Sequence, residues 1–370
     1  MAKMRAMVVP KVGGKFEAVE REMPEPRAGE MRIRVQACGV CHSDSVTVEG
    51  LFPGIQYPRI PGHEVIGVID AIGPEVHGWT VGERAGVGWF CGSCGYCRRC
   101  RRDTAFACEN VHGATGVSRD GGYATHMIAD VSAVAHVPDD LDSVQSAPLL
   151  CAGVTTFNAI RHTGAGPGDL VAVHGVGGLG HLGIQFAAKQ GFRTVAVNRG
   201  RDKEELARKL GASDYIDSAA DDPAKALTAM GGARAIIATV TNGEAMQAIA
   251  GGLGPNGVMM VIGAVGPLTV NSLDLLMKSA AVRGWYSGIA RDSEDTLAFS
   301  KMQNVTSMNE IYPLAKSQEA YDRMMSGKAR FRVVLDNGGV TPRAAMLSEL
   351  GRREEALTAA QEAVDIRRNI

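Results

Sequence analysis

DLVAVHGVGGLGHLGIQFAAKQ, residues 169–190, decides the fold. The apolar run at its start reads as a buried strand. The glycines at 175, 177 and 180 form G-x-G-x-x-G, and the residues after them read as a helix. Glycine permits a tight turn there and lets backbone approach a pyrophosphate, which sits at the helix N-terminus. Gly178 and Leu179 lie in the same loop and join the expected cofactor-binding set. Outward from this unit the chain alternates. RTVAVNRG reads as a strand, KEELARKLGA as a helix, ARAIIATV as a strand, EAMQAIAGGL as a helix and GVMMVIG as a strand. Strands alternating with helices imply a parallel, doubly wound sheet.

The first 150 residues have another texture. MRIRVQACG, EVIGVIDAIG and GYATHMIAD are short β-branched runs broken by Gly and Pro. They imply a β-rich, largely antiparallel domain. The chain is therefore an α/β protein with a β-rich domain over 1–150, completed by about 295–336, and a dinucleotide-binding domain over 151–294. The strand-like FRVVLD (331–336) closes the first domain.

Length and composition fit two ordinary globular domains: 370 residues, 45% apolar and 21% charged. A net charge of −1 gives no global electrostatic case for nucleic acid or a membrane surface. The N-terminal stretch lacks the apolar core of a signal peptide. The expectation is a cytoplasmic protein acting on a small molecule, with no nucleic-acid or membrane partner.

Three short motifs carry the chemistry: CGVCHSD (38–44), GHEVIG (62–67) and LLCAGVTT (149–156). Cys41, His63 and Cys151 supply two thiolates and one imidazole. Three protein ligands leave a fourth zinc position open, which separates a catalytic zinc from a structural one. Asp44 could orient the His63 ring. Glu64 could approach the metal or tune its field. The Ser43 hydroxyl could bond a zinc-held alcohol and accept its proton.

Five of the eight cysteines fall between 91 and 108. Without a signal peptide, such clustering reads as metal binding rather than disulfides. Cys94, Cys97, Cys100 and Cys108 have C-x2-C-x2-C-x7-C spacing and form the favoured structural zinc set. A set using Cys91, Cys94, Cys97 and Cys108 would leave Cys100 spare. The expectation is two zinc ions per chain. Arg98, Arg99, Arg101 and Arg102 would offset the −2 charge of a zinc tetrathiolate.

The strand RTVAVN should end on an acid if NAD is used, because a carboxylate there binds the adenosine ribose. Asn198 stands in that place, followed by Arg199 and Arg201. Missing negative charge beside guanidinium groups favours NADP.

Taken together, these motifs resemble the zinc-containing alcohol dehydrogenases of the medium-chain dehydrogenase/reductase family, over about residues 3–336. GHEVIGVIDAIGPEV (62–76) is similar to the family's zinc signature. The resemblance implies a GroES-like catalytic domain, a Rossmann domain and a cleft between them. It implies Thr155 near the nicotinamide, Arg332 on the cofactor pyrophosphate and Gly263 beside further cofactor residues. It also implies a homodimer or homotetramer. Many relatives carry a relay histidine five residues after the first zinc cysteine, where this chain has Val46, so a proton leaving Ser43 needs another route.

The expected activity is hydride transfer between a primary aliphatic or aromatic alcohol and a nicotinamide cofactor. Trp89 and Phe90, with Val46, Val48, Leu51 and Phe52, would make an apolar pocket, and Trp285 and Tyr286 would lie near its entrance or a subunit interface. A polyol dehydrogenase of the same family is the alternative. A zinc-free quinone reductase would not need Cys41, His63 and Cys151, and a pure scaffold would not need intact ligands. Residues 338–370 depart from the family pattern. They read as a short helical extension, a helix–turn–helix resembling one tetratricopeptide unit. Thr341 and Pro342 cap it, and Leu357, Ala360 and Val364 share a face. It could contact another subunit or a partner.

Overall fold

The computed structural model describes residues 2–338. The helical tail expected beyond them lies outside the described residues. The chain divides into two compact units. One holds the residues up to Cys151, Gly288–Met302 and the described residues from Thr306 onward. The other holds Ala152–Ser287 with Gln303–Val305.

In the first unit, the eleven-residue strand Glu30–Val40 is the hub. Val65–Ile72 pairs antiparallel along one edge. The other edge is shared: His126–Asp130 takes residues 30–34, and Arg332–Asp336 takes residues 37–40. Arg84–Val87 and Val134–His136 extend the sheet beyond Val65–Ile72, and Asn309–Pro313 lies parallel to Arg332–Asp336 at the far side. The apolar alternation of MRIRV buries Met31, Ile33 and Val35 in one core with Ile69, Val87, Met127 and Leu335. Burial of such side chains contributes about 1.5–3 kcal/mol each. That core fixes the ends of Glu30–Val40 and Arg332–Asp336, from which Cys41 and Arg332 project.

In the second unit six parallel strands lie in the order Asp214–Asp217, Arg193–Asn198, Leu170–His174, Ala233–Ala238, Leu253–Val261, Ala281–Gly284. The strand order reverses between Leu170–His174 and Ala233–Ala238. In doubly wound sheets, ligands bind at that reversal, outside the carboxyl ends of the strands. The fingerprint loop leaves the end of Leu170–His174 and enters the helix Gly180–Lys189. Leu170–His174 is buried throughout and Ala233–Ala238 nearly so, as a sheet covered on both faces requires.

The strand expected over GVMMVIG begins earlier, at Leu253, through an irregularity in its pairing with Ala233–Ala238. No helix among the described residues is long and apolar enough to cross a membrane.

Candidate active site

Cys41 follows the strand Glu30–Val40 and opens a short 3-10 turn, His42–Asp44. The Asp44 side chain caps that turn by accepting from the Cys41 backbone N–H at 2.9 Å. His63 stands just before Val65–Ile72, and Cys151 ends the 3-10 turn Ala147–Leu150. Although 110 residues separate Cys41 from Cys151, their sulfurs lie 3.9 Å apart. The ligand atoms of Cys41, His63, Glu64 and Cys151 all lie within 4.8 Å of one another.

Each neighbour has a definite job. The second Asp44 oxygen, Oδ1, lies 2.9 Å from His63 Nδ1. A carboxylate there favours the Nδ1–H tautomer and leaves the Nε2 lone pair for a metal. His63 Nε2 is buried with no hydrogen-bond partner among the described residues. An orphaned buried nitrogen beside two sulfurs is what an imidazole ligand lacks until its metal arrives. The donor set, two thiolates and one imidazole, suits zinc. The Trp89 and His63 rings meet in a T-shaped contact with centroids 4.9 Å apart, which limits rotation of the imidazole.

The charges follow from burial. Burial alone would lower the His63 pKa, but Asp44 and Cys41 together raise it well above the usual value, so a metal at Nε2 takes the place of a proton there. The hydrogen bond to Cys151 holds Cys41 well below the ordinary thiol range, and Cys151 rises in return. Burial pushes Glu64 up to about 8, against the pull of the Arg332 charge. Glu64 and Arg332 form a buried ion pair, 5% and 0% exposed for the arginine and the carboxylate respectively. Gly39 makes room for it: a Cβ at that position would sit 1.8 Å from Glu64 Oε2. Arg332, expected on a cofactor pyrophosphate, thus has an anchor that sequence reading missed.

Ser43 lies on the same turn, half-buried, with its hydroxyl unpartnered among the described residues. Phe90 is buried and Trp89 half-buried. Val48 packs against the core of the β-rich unit, while Leu51 and Phe52 are 64% and 38% exposed. Trp285, in the other unit, stacks on His162 at 4.3 Å with the Arg283 guanidinium over its ring.

A second cluster gathers Cys94, Cys97, Cys100 and Cys108, whose sulfurs also lie within 4.8 Å of one another. Cys91 stays outside it, buried, its thiol pushed up by burial. Backbone N–H groups aim at the sulfurs: Cys97 N at Cys94, Cys100 N at Cys97, and both Cys94 N and Asn110 N at Cys108, each at 3.4 Å. The Asn110 amide adds a bond to Cys94 at 3.2 Å. Donors aimed at sulfur favour thiolates over thiols. Backbone hydrogen bonds accordingly lower Cys97 below the usual thiol value.

The nucleotide-type loop is equally specific. Gly175 has φ +100°, a left-handed value that favours glycine. A Cβ at Gly180 would meet the Gly175 carbonyl at 1.7 Å, and one at Gly263 would meet the Val240 carbonyl at 2.2 Å. Gly177, Gly178 and Leu179 complete the turn into the helix. Asn198 Oδ1 accepts from Val176 N at 3.1 Å, so the residue at the strand end braces the loop. Lys203 donates to the Val176 carbonyl at 2.8 Å and holds it from the other side. Arg199 is exposed, while Arg201 pairs with Glu204 at 2.8 Å. Thr155 is buried on the helix Ala152–Arg161.

Two family models match the chain: the alcohol dehydrogenase GroES-like domain over residues 27–139 and the zinc-binding dehydrogenase over residues 178–302. The alcohol dehydrogenase patD of Penicillium expansum is 43% identical over 310 residues, covering 84% of this chain and 91% of its own. An alcohol dehydrogenase of Geobacillus stearothermophilus is 36% identical over 335 residues, covering 90% and 99%. Among solved structures, the cinnamyl alcohol dehydrogenase SbCAD4 of Sorghum bicolor superposes with a TM-score of 0.79 at 28% identity, covering 91% and 98%. A thermostable alcohol dehydrogenase of Pyrobaculum aerophilum, bound to cobalt and zinc, gives 0.80 at 26% identity, covering 90% and 100%.

Proposed function

The chain belongs to the zinc alcohol dehydrogenases of the medium-chain dehydrogenase/reductase family, and on that footing we propose how its own residues run the reaction. It is an alcohol dehydrogenase. Cys41, His63 and Cys151 would hold a catalytic zinc, with Glu64 beside them. The orphaned His63 Nε2 within reach of both sulfurs is the observation that carries this reading. A bound zinc supplies Lewis acidity, which lowers the pKa of an alcohol oxygen and stabilises the charge developing on it. Ser43 Oγ accepts the alcohol proton as its own hydroxyl proton passes onward, through the ribose hydroxyl and water or another side chain, because Val46 offers no relay. Asp44 keeps the His63 tautomer, and Trp89 keeps the ring plane. Arg332 binds cofactor phosphate while Glu64 holds its guanidinium. Cys94, Cys97, Cys100 and Cys108 would hold a second, structural zinc.

The cofactor is NADP(H) in preference to NAD(H). Asn198 brings no negative charge to the strand end and spends its amide oxygen on Val176 N. Arg199 carries no ion pair among the described residues and so keeps its guanidinium for a 2′-phosphate. Thr155, Gly175, Gly177, Gly178, Leu179, Gly180 and Gly263 make up the rest of the cofactor set. Asn198→Asp is expected to move the ratio of kcat/KM toward NAD by about tenfold or more, the worth of one charged hydrogen bond plus one repulsion. Initial rates with both cofactors, using benzyl alcohol, hexanol and their aldehydes, check this. A wild-type preference for NAD would overturn the cofactor reading and leave the metal reading standing. Turnover confined to polyols would overturn the substrate class, which rests on Trp89 beside the metal ligands.

The assembly is a homodimer or a homotetramer. Ala281–Gly284 is an edge strand of the parallel sheet, and Leu273, Leu276 and Met277 nearby are 61–78% exposed. Unprotected edges and apolar helix faces pair with a second copy. A monomer in sedimentation would end that reading. Cysteines grouped as metal-ligand sets rather than as disulfide pairs support a cytoplasmic compartment. Recovery of the protein from an oxidising compartment on cell fractionation would contradict it.

A further inference from the structure

We propose that Tyr123 is a positioning residue for the metal site, acting through Asp44, an inference that rests on reading Cys41, His63 and Cys151 as zinc ligands. Asp44 is 2% exposed, and its carboxylate has three partners, each at 2.9 Å. Oδ2 accepts from the Cys41 backbone N–H and from the Tyr123 hydroxyl. Oδ1 is then left for His63 Nδ1. One carboxylate thus ties the backbone of one ligand to the ring of another, and Tyr123 decides how that carboxylate is turned.

Tyr123 is itself immobile. It is fully buried, with Phe16 edge-on to its ring at 5.6 Å. Its backbone N–H donates to the Pro61 carbonyl at 3.0 Å, and Gly122 N–H donates to the Gly62 carbonyl at 3.0 Å. Its carbonyl accepts from Met7 N–H at 2.8 Å. The ring presses on Gly62, where a Cβ would meet Tyr123 Cδ1 at 2.4 Å. Gly62 has φ +102°, so the residue before His63 is glycine for two reasons, its backbone angle and this ring. The same tyrosine therefore seats the chain leading into His63 and holds the carboxylate that orients the His63 ring.

Tyr123→Phe keeps the ring and removes only the hydroxyl. Asp44 Oδ2 then keeps only the Cys41 N–H while staying buried, and the carboxylate is held less firmly against Nδ1. Groups that orient a metal-bound histidine typically set metal affinity by 10–100-fold, and about tenfold is expected here. The experiment is release of metal to a chelator from full-length protein, read in the cobalt(II)-substituted form. A four-thiolate site and a two-thiolate, one-imidazole site absorb differently, so the two releases are followed separately. The expected result is release about tenfold faster from the Cys41–His63–Cys151 site, with the four-cysteine site unchanged. Unchanged release at the first site, or equal acceleration at both, would overturn the proposal. In an Asp44→Asn background, Tyr123→Phe is expected to add less than about twofold, because coupled residues are not additive. A further tenfold there would show that Tyr123 does not act through Asp44. Wild-type protein that takes up no cobalt at Cys41, His63 and Cys151 would instead remove the metal reading on which the proposal stands.

Discussion

Replacing Cys41 with serine is expected to lower kcat/KM by about a thousandfold or more, or about 4 kcal/mol of transition-state stabilisation. Cys41 brings one of two sulfurs that lie 3.9 Å apart, within 4.8 Å of His63 and Glu64. A serine hydroxyl in the same place stays protonated and binds zinc weakly. The fold should survive, because Cys41 follows the strand Glu30–Val40 and takes no part in its ladder. Zinc content is expected to fall by one ion per chain with little change in Tm. A variant that kept both its zinc and its turnover would remove Cys41 from the catalytic set.

Cys100→Ser is expected to act on stability instead. The four-cysteine lobe has little apolar core of its own: among Cys91–Cys108 the described residues are largely exposed or half-buried, and Tyr96 and Phe106 are 73% and 52% exposed. Hydrogen bonds to sulfur and a shared metal must therefore hold it. Losing one of four thiolates is expected to cost about 5 kcal/mol, a part of what a structural zinc supplies. At roughly 2–4 °C per kcal/mol for a domain of about 200 residues, Tm falls by about 10–20 °C. Arg98, Arg99, Arg101 and Arg102 are exposed, so trypsin should cut the variant there first. An unchanged Tm with an uncut lobe would mean that the cysteines need no metal. Turnover measured well below the transition should persist, which separates this site from the first.

Much of this was legible in the sequence, and the reasons differ by element. Leu170–His174 and its glycine turn were readable because a two-face-buried strand must be continuously apolar and the turn must be glycine. The parallel strand Asp214–Asp217 was not. Its sequence DYID is polar and four residues long, since an edge strand need bury little. The helix Pro223–Ala229 escaped for the same reason, being two turns long with two buried residues.

At the site, Asp44 was legible because it lies three residues from Cys41 on one turn. Its role could be read from local spacing. Tyr123 could not, because 79 residues separate it from Asp44 and no local pattern links them. Arg332 and Glu64 are 268 residues apart, and their pairing depends on Arg332–Asp336 lying beside the last residues of Glu30–Val40. Gly39 carried a signal that went unread. A glycine inside a strand marks a close approach, here the Glu64 carboxylate against the backbone. Asn198 shows the opposite case. Its chemistry was legible as a missing acid, while its bond to Val176 N depends on how the loop turns back onto the strand end.

The measurement that tests the central claim most directly is selective metal removal from the wild-type protein. Dialysis against a chelator should strip the three-ligand site first, because its fourth position is open to a competing ligand while the four-cysteine site is closed. The prediction is that turnover falls in step with the loss of one zinc per chain, while Tm changes little, and that added zinc restores it. Turnover that survived in protein with Cys41, His63 and Cys151 free of metal would contradict the account.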